Sequence, residues 1–442
     1  MLDAPFWIEP SGRAIITDTY GLRNDIDYTL AQYLLTSAWF DEVDPSLVVM
    51  PQEILRKLVP GRKSFEDVIS SCPIPCDIVP HNHWKGKATC LRPHITKEVQ
   101  NAVEDSVRNR YTNKHNKVNF RTGESWTGYQ ERKMWEQQAE LMESYSVPGH
   151  PASKLIQYLH SPRARKAVRR LVVTNHDLII HSIDNIPDQD KRSATYRLML
   201  QIENSHLTYK STGGTARIYA AGSSIMQLPR EIREVLYTGC YSIDINSAQL
   251  CIIERLWNVP GLSEVAAAGV WTYLSGLLNV NLSRKPELKQ MIYSTIFGGG
   301  KPLLREQSDL AEAYLSLPII KKIWNKRQAR LNEIRRLGYI VDAWGEIHYL
   351  GNVDKPTEGE RVRSLLARQV QSYEVYIMLA GFESIANDED VVMTGWLHDG
   401  FYIEVQDNKK SANSKLKRAA LAIKTKAKEL DINLETEIEF LR

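Results

Sequence analysis

Hydrophobic and polar positions change period several times along the chain. Residues 1–145 are mixed and punctuated by Pro51, Pro60, Gly61, Pro73 and Pro75. Within them, Trp126–Tyr145 carries a helical pattern that ends before Val147, Pro148 and Gly149, a boundary signal. Residues 153–210 read as mainly helical, with amphipathic spacing in Lys154–His160 and Arg163–Val172. Ser211–Thr215 is a stretch of small residues. After it, Leu236–Ile245 predicts a strand and Ala248–Trp257 a helix packed behind it. Ser283–Phe297 predicts a helix capped by Ser283 and stopped by Gly298, Gly299 and Gly300. Leu365–Phe382 predicts a long helix, and Val391–Leu397 and Phe401–Val405 are apolar, β-rich runs joined through His398, Asp399 and Gly400. Ala412–Leu430 reads as a basic helix followed by a short strand. The pattern therefore predicts a mixed α/β chain.

The chain has 442 residues, 43% of them hydrophobic and 25% charged. That is enough for a large core and roughly two to four domains or subdomains. No apolar run approaches the ~18 residues of a membrane span, and the first residues lack a secretion-signal pattern, so a cytoplasmic protein is the expectation. Net charge is only +3. Basic residues nevertheless cluster in Arg163–Arg170, Lys321–Arg336 and Lys409–Lys428, where they could neutralise phosphates or simply form solvated helix faces. Five cysteines in so long a chain argue against a disulfide framework. Cys72, Cys76, His81, His83 and Cys90 fall close enough to permit zinc, although the spacing is not a strong zinc pattern and buried thiols with loop histidines would read the same.

Three elements carry candidate chemistry. Asp244 ends an apolar strand before a polar cap and a helix, which exposes its carboxylate at a sheet edge. Read alone, it could equally be a surface or capping residue. Asp399 precedes Gly400 between two apolar runs, a hairpin signal that read alone is only a turn. A hairpin tip can also bring one carboxylate beside another strand end. Two such carboxylates suit two divalent cations, which activate a nucleophilic oxygen and stabilise a leaving pyrophosphate. Between them, Lys285, Lys289, Tyr293 and Phe297 recur every four residues as a slowly drifting stripe. Two cations near a helix N-terminus suit a triphosphate, and the aromatics beyond them a sugar and base.

In this order the chain resembles the family A DNA polymerases. That family's first palm motif reads D-Y-S-Q-I-E-L, and residues 244–250 here read DINSAQL. Its fingers helix reads R-x3-K-x3-F-x3-Y-G, matched by Lys285, Lys289, Tyr293, Phe297 and Gly298. Its last palm motif reads H-D-E, and here His398 and Asp399 are followed by Gly400. Thr215, Ala216 and Arg217 resemble its T-G-R, Gln227, Leu228 and Pro229 its Q-x-I-P, and Arg363, Ala367 and Gln371 its R-x3-N-x3-Q helix. The resemblance spans roughly residues 211–405.

The resemblance implies a right-hand fold, in an α/β (α+β) class, with an N-terminal region of unknown fold at 1–149. A thumb-like helical region would follow at 150–210, then palm at 211–258 and 376–442 around fingers at 259–375. It further implies that Asp244, Asp399 and the Ile245 carbonyl bind two Mg²⁺ ions, with Mn²⁺ able to substitute. Lys285 and Lys289 would hold the triphosphate, and Tyr293, Phe297 and Gln249 would line the sugar pocket. Arg217, Arg363 and Gln371 would contact primer–template DNA, and His398 the primer end. A monomer acting on primer–template DNA and nucleoside triphosphates follows. Gly400, Gln249, Phe297 and Ala367 depart from the family pattern. Gly400 also fits single-subunit phage-type RNA polymerases, which leaves RNA or primer synthesis as an alternative. Gln249 favours DNA, because bulk there crowds a 2′-hydroxyl. A non-catalytic nucleic-acid-binding relative is the remaining alternative, although both carboxylates and both lysines are retained. No D-x-E exonuclease signature occurs in residues 1–200, so no proofreading is expected.

Overall fold

The computed structural model describes residues 6–36, 46–51, 69, 72–79, 88–112, 116–126, 149–204, 209–212, 214–220, 224–298, 300–405 and 409–442. The helix expected at Trp126–Tyr145, apart from Trp126 itself, and His81 and His83 lie outside these residues. The N-terminal part pairs β1 (Trp7–Ile8) with β5 (Val118–Asn119) and places β4 (Ala88–Pro93) between β2 (Val48–Pro51) and β3 (Cys76–Val79). Around them lie α1 (Pro10–Tyr20), α2 (Asp25–Thr36) and α3 (Lys97–Arg108), the last capped by Thr96 through the Val99 N–H.

Four helices follow: α4 (Ser153–Leu159), α5 (Pro162–Thr174), α6 (His176–Asp184) and α7 (Gln189–Asn204). They divide between two cores. Leu155, Ile156 and Leu159 of α4 join a large C-terminal cluster. Ile179 and Ile183 of α6 and Leu198–Leu200 of α7 join a second cluster containing Phe6, Leu34, Val103 and Phe120. Then come the hairpin β6 (Tyr209–Thr212) and β7 (Thr215–Ala220) and the short helix α8 (Arg230–Leu236). The strand expected from Leu236 begins instead at Tyr241. Leu236 ends α8, and Gly239, in the left-handed region at φ 88°, separates helix from strand.

β8 (Tyr241–Ile245) is followed by α9 (Ala248–Trp257), α10 (Leu262–Ala267), α11 (Val270–Leu278), α12 (Lys285–Phe297), α13 (Lys301–Gln307), α14 (Ala311–Ser316) and α15 (Pro318–Leu337). Asn281, not Ser283, caps the approach to α12. Its side chain accepts the Ser283 N–H at 2.8 Å over a single 3-10 turn, and Pro286 occupies the first turn of the helix. The hairpin β9 (Tyr339–Val341) and β10 (Ile347–Tyr349) leads to α16 (Glu358–Ile385), longer at both ends than its apolar pattern predicts. Thr357 and Glu360 form a capping box at its start. β11 (Val391–Trp396), β12 (Gly400–Val405), α17 (Lys409–Glu429) and β13 (Thr436–Phe440) complete the chain.

The sheet that positions the site is antiparallel throughout, in the order β11-β12-β8-β13. Strand alternation sends Ile243, Ile245, Phe401 and Ile403 into the core, where they join apolar residues of α9, α16 and α17. The same period puts Ser242 and Asp244, their partners Tyr402 and Gly400, and Glu439 and Glu437 of β13 on the other face. Among the described residues, no helix is long and apolar enough to cross a membrane.

Candidate active site

Asp244 sits one residue before the end of β8. Its register partner on β12 is Gly400, so Asp399 enters the turn beside it, and the Asp399 carbonyl accepts the Ile245 N–H at 2.9 Å. The approach is close because position 400 has no side chain. A Cβ there would lie 2.7 Å from the Ile243 carbonyl oxygen and 2.8 Å from Oδ1 of Asp244. The Gly400 that departs from the family's H-D-E motif thus has a steric reason in this chain. On the other side of β8, Glu437 is the direct partner of Asp244. Asp244 and Glu437 therefore share one face of the sheet in direct register, and the charge of Asp399 reaches Asp244 from the adjoining turn. Like charges in direct cross-strand register are unfavourable unless something neutralises them.

Asp244 feels that crowding. It is exposed to solvent, yet the surrounding protein desolvates it, and together with the charge of Asp399 this pushes its carboxyl up to about 7. Glu437 adds to the shift. The Ile245 N–H, which also donates to Oδ1 at 3.0 Å, and Arg230 oppose it. Arg230 is itself paired with Glu234 at 2.6 Å. After β8, Ser247 adopts a left-handed conformation (φ 52°) that turns the chain into α9.

Behind the carboxylates lies a polar network. Glu374 of α16 is 1% exposed. Its Oε2 accepts from both Nε (2.7 Å) and Nη2 of Arg217 on β7, and its Oε1 lies 3.4 Å from Nε2 of Gln249. One turn earlier on α16, Gln371 accepts the Thr215 hydroxyl at 2.7 Å. Glu374, like Glu437, is a residue that motif reading misses. The available signal is a charge four residues from both Val370 and Met378 in the buried stripe of a helix. His398 packs edge-on against Tyr219 at 5.3 Å, with a buried Nδ1 that has no partner. Burial and the Arg217 charge push its imidazole down to about 3, so it is neutral near pH 7.

The helix α12 brings its stripe to this network. Leu288, Met291, Ile292 and Ile296 are buried beneath it, whereas Lys285 and Lys289 are exposed and Tyr293 and Phe297 half-buried. The Lys289 ammonium lies 5.9 Å from the Tyr293 ring. Burial, then the charges of Asp399 and Glu374, push the Tyr293 hydroxyl up to about 12, while Arg217 acts the other way. Those influences put Tyr293 in one neighbourhood with Asp244, Asp399, Glu374 and Arg217. Phe297 packs against the large core.

Other sequence expectations land elsewhere. Arg363, expected to contact primer–template, is two helical turns from Gln371, about 12 Å along α16, where its charge acts on Arg327. In two of the three basic clusters, several residues pair within the fold. Arg163 donates to the carbonyls of Asp388, Glu389 and Val391, and Arg170 pairs with Glu404. On α17, Lys415, Arg418, Lys424 and Lys426 pair with Asp390, Asp388, Glu435 and Glu429. In the third, Arg327 is buried and donates to the Gly298 carbonyl, and Arg330 binds Gln369 and Glu333. Cys72 and Cys76 interact through their thiols, and Cys90 is buried on β4. Among the described residues, Asp342, Glu346 and His348 are the one group with metal-ligand spacing. Both Asp342 oxygens are already engaged. Oδ1 accepts the Trp344 and Glu346 N–H groups at 2.9 and 3.0 Å, and Oδ2 meets His348 Nε2 at 2.8 Å. That group fastens the β9–β10 turn.

No protein-family profile and no curated protein matches this chain. Among solved structures, it is similar to the POL domain of Pol1 from M. smegmatis in complex with DNA primer-template and dNTP. The match has 15% sequence identity and a TM-score of 0.47, and covers 76% of this chain and 65% of that one.

Proposed function

We propose that the chain is a template-directed nucleotidyltransferase that extends a primer with deoxynucleoside triphosphates. The observation that carries this reading is the cross-strand placement of Asp244 beside Asp399, in the same neighbourhood as the α12 residue Tyr293. The donor set suits Mg²⁺ in kind: Asp244 and Asp399 supply hard carboxylate oxygens, and Arg230, the cation that acts on Asp244, is held by Glu234. Asp244, Asp399 and the Ile245 carbonyl would hold the ions, which when bound activate the primer hydroxyl and stabilise the departing pyrophosphate.

The chain's own groups do the rest. Lys289 and Lys285 face solvent and take the triphosphate along the first two turns of α12. Tyr293, Phe297 and Gln249 bound the sugar, with Gln249 excluding a 2′-hydroxyl by bulk. Arg217 and Gln371 face the primer–template minor groove, and neutral His398 offers the primer end a hydrogen bond without charge. Palm, fingers and thumb are assigned as the sequence resemblance implies, with residues 1–149 outside them.

Primer extension with dNTPs and Mg²⁺ tests the reading. Wild type should extend an annealed primer, and Asp244→Asn or Asp399→Asn should each lower the rate at least ~1,000-fold while primer–template affinity stays within about threefold. Near-normal extension by either variant overturns the metal assignment. Reactions without primer or with ribonucleotides separate DNA synthesis from RNA or primer synthesis, and binding without any incorporation would mark a non-catalytic nucleic-acid-binding protein.

A further inference from the structure

The polar groups behind the carboxylates are joined through a single anion. Glu374 projects from the buried face of α16, among Val370, Ile377 and Met378, where an apolar side chain would meet no desolvation cost. Burial pushes its carboxyl up from the ordinary range, and Arg217 pulls it back. Its partners come from two different elements, Arg217 from β7 and Gln249 from the first turn of α9.

Each partner is constrained by chemistry, not only by space. A carboxylate accepts hydrogen bonds, so only the amide nitrogen of Gln249 can face it. The amide oxygen must then point the other way. It is buried without a partner, on a side chain only 8% exposed. Arg217 turns Nε and Nη2 toward Glu374, so the fork has one orientation. The neighbouring rung from Thr215 to Gln371 docks the same strand on the same helix, which fixes the register of β7 against α16.

We propose that Glu374 is a positioning residue for sugar selection, its carboxylate locking the rotamer of Gln249 in the sugar pocket and tying that rotamer to the Arg217 contact with primer–template. The inference rests on the polymerase reading above and names a determinant of specificity within it. Glu374 touches neither substrate. It acts by making the bulk and polarity of Gln249 a fixed wall, and by making that wall depend on the guanidinium that senses the duplex.

The test exchanges the two partners. In Glu374→Gln the Gln249 amide can turn either way, so the preference for dNTP over rNTP should fall roughly tenfold, read as a change in the ratio of kcat/KM values. Most of the loss should lie in KM for the sugar, not in kcat for dNTP. The double variant Gln249→Glu with Glu374→Gln restores one carboxylate facing one amide, keeps the net charge and leaves an anion near Arg217. It should recover discrimination to within about threefold of wild type. Circular dichroism and primer–template affinity are measured on all three proteins. If Glu374→Gln does not fold, the double variant carries the test, because a positioning pair predicts that it folds and discriminates. Unchanged discrimination in folded Glu374→Gln overturns the proposal, as does a double variant that folds without discriminating. If wild type shows no Mg²⁺-dependent extension, the polymerase reading falls and the proposal with it. Extension with unaltered selectivity overturns the proposal alone.

Discussion

The crowding around Asp244 costs the fold stability once its carboxyl ionises. Its carboxyl titrates near 3.8 in an unfolded chain and near 7 in the folded one. A raised folded value means that its contribution to stability is fully present below 3.8 and is lost as pH rises through about 7. Because the group is open to solvent, screening reduces the effect to ~1 kcal/mol. Asp244→Asn removes that cost, so at pH 8 without divalent metal the variant should melt about 1–2 °C above wild type, and the gap should narrow toward pH 5. Mg²⁺ should raise the midpoint of wild type and leave the variant unmoved. Differential scanning calorimetry across pH reads both, and a variant less stable than wild type at pH 8 would refute the crowded-carboxylate account. At this scale the sequence is informative where spacing carries the signal. Asp244 and Asp399 do come together, and Tyr293 does reach their neighbourhood. Glu374 belongs to no spaced motif and shows only as a charge within an apolar helical stripe, and Glu437 acquires meaning only from the register of the last strand.

The elements that aim these side chains are specified by turns and caps more than by propensity. The Asp-Gly step was readable as a hairpin. That Gly400 must also admit β8 to within contact was not, since close backbone approach leaves no trace in one sequence. The apolar run Leu236–Ile245 misled for a related reason. Leu236 and Tyr237 close a helix, and only Gly239 marks the change of period. Gly400→Ala tests the close approach. Its methyl group would press on the Ile243 carbonyl and on Oδ1 of Asp244, moving β12 away from β8 where the two aspartates meet. A shift near 1 Å at reacting groups can cost ~100-fold in rate, so kcat for extension should fall by about that factor while primer–template affinity changes little. A variant with wild-type kcat would mean that the sheet absorbs the methyl without moving the carboxylates.

On the scale of the whole molecule, the N-terminal residues are structurally continuous with the rest, although their sequence named no function. One apolar cluster holds Phe6, Ile16, Leu34, Val103 and Phe120 together with Ile179 and Ile183 of α6, Leu198 and Leu200 of α7, and Leu236, Tyr237 and Tyr402 beyond them. Polar contacts reinforce the seam: Arg108 pairs with Asp184 at 2.8 Å, and His176 Nε2 meets the Val107 carbonyl at 3.1 Å. The cluster also reaches the candidate site. Tyr402, two residues after Gly400 on β12, stacks on Tyr237 with ring centroids 3.9 Å apart. This long-range sharing explains why a boundary visible near residue 149 does not divide the cores. Pro and Gly punctuation marks where the chain turns, but not which distant helix will cover it. Removing residues 1–149 should therefore do more than delete an appendage. Each fully buried aliphatic or aromatic side chain contributes roughly 1.5–3 kcal/mol, and the deletion uncovers the faces of α6 and α7 at once. The 150–442 fragment should aggregate, or unfold without a cooperative transition, and any soluble portion should extend primers far more slowly than the full chain because the cluster that also holds Tyr237 and Tyr402 loses much of its apolar content. Size-exclusion chromatography, thermal melts and primer extension on the fragment measure all three. A monomeric fragment that melts cooperatively and extends at the wild-type rate would show that the shared core supports neither the fold of the remaining chain nor the strand that carries Gly400.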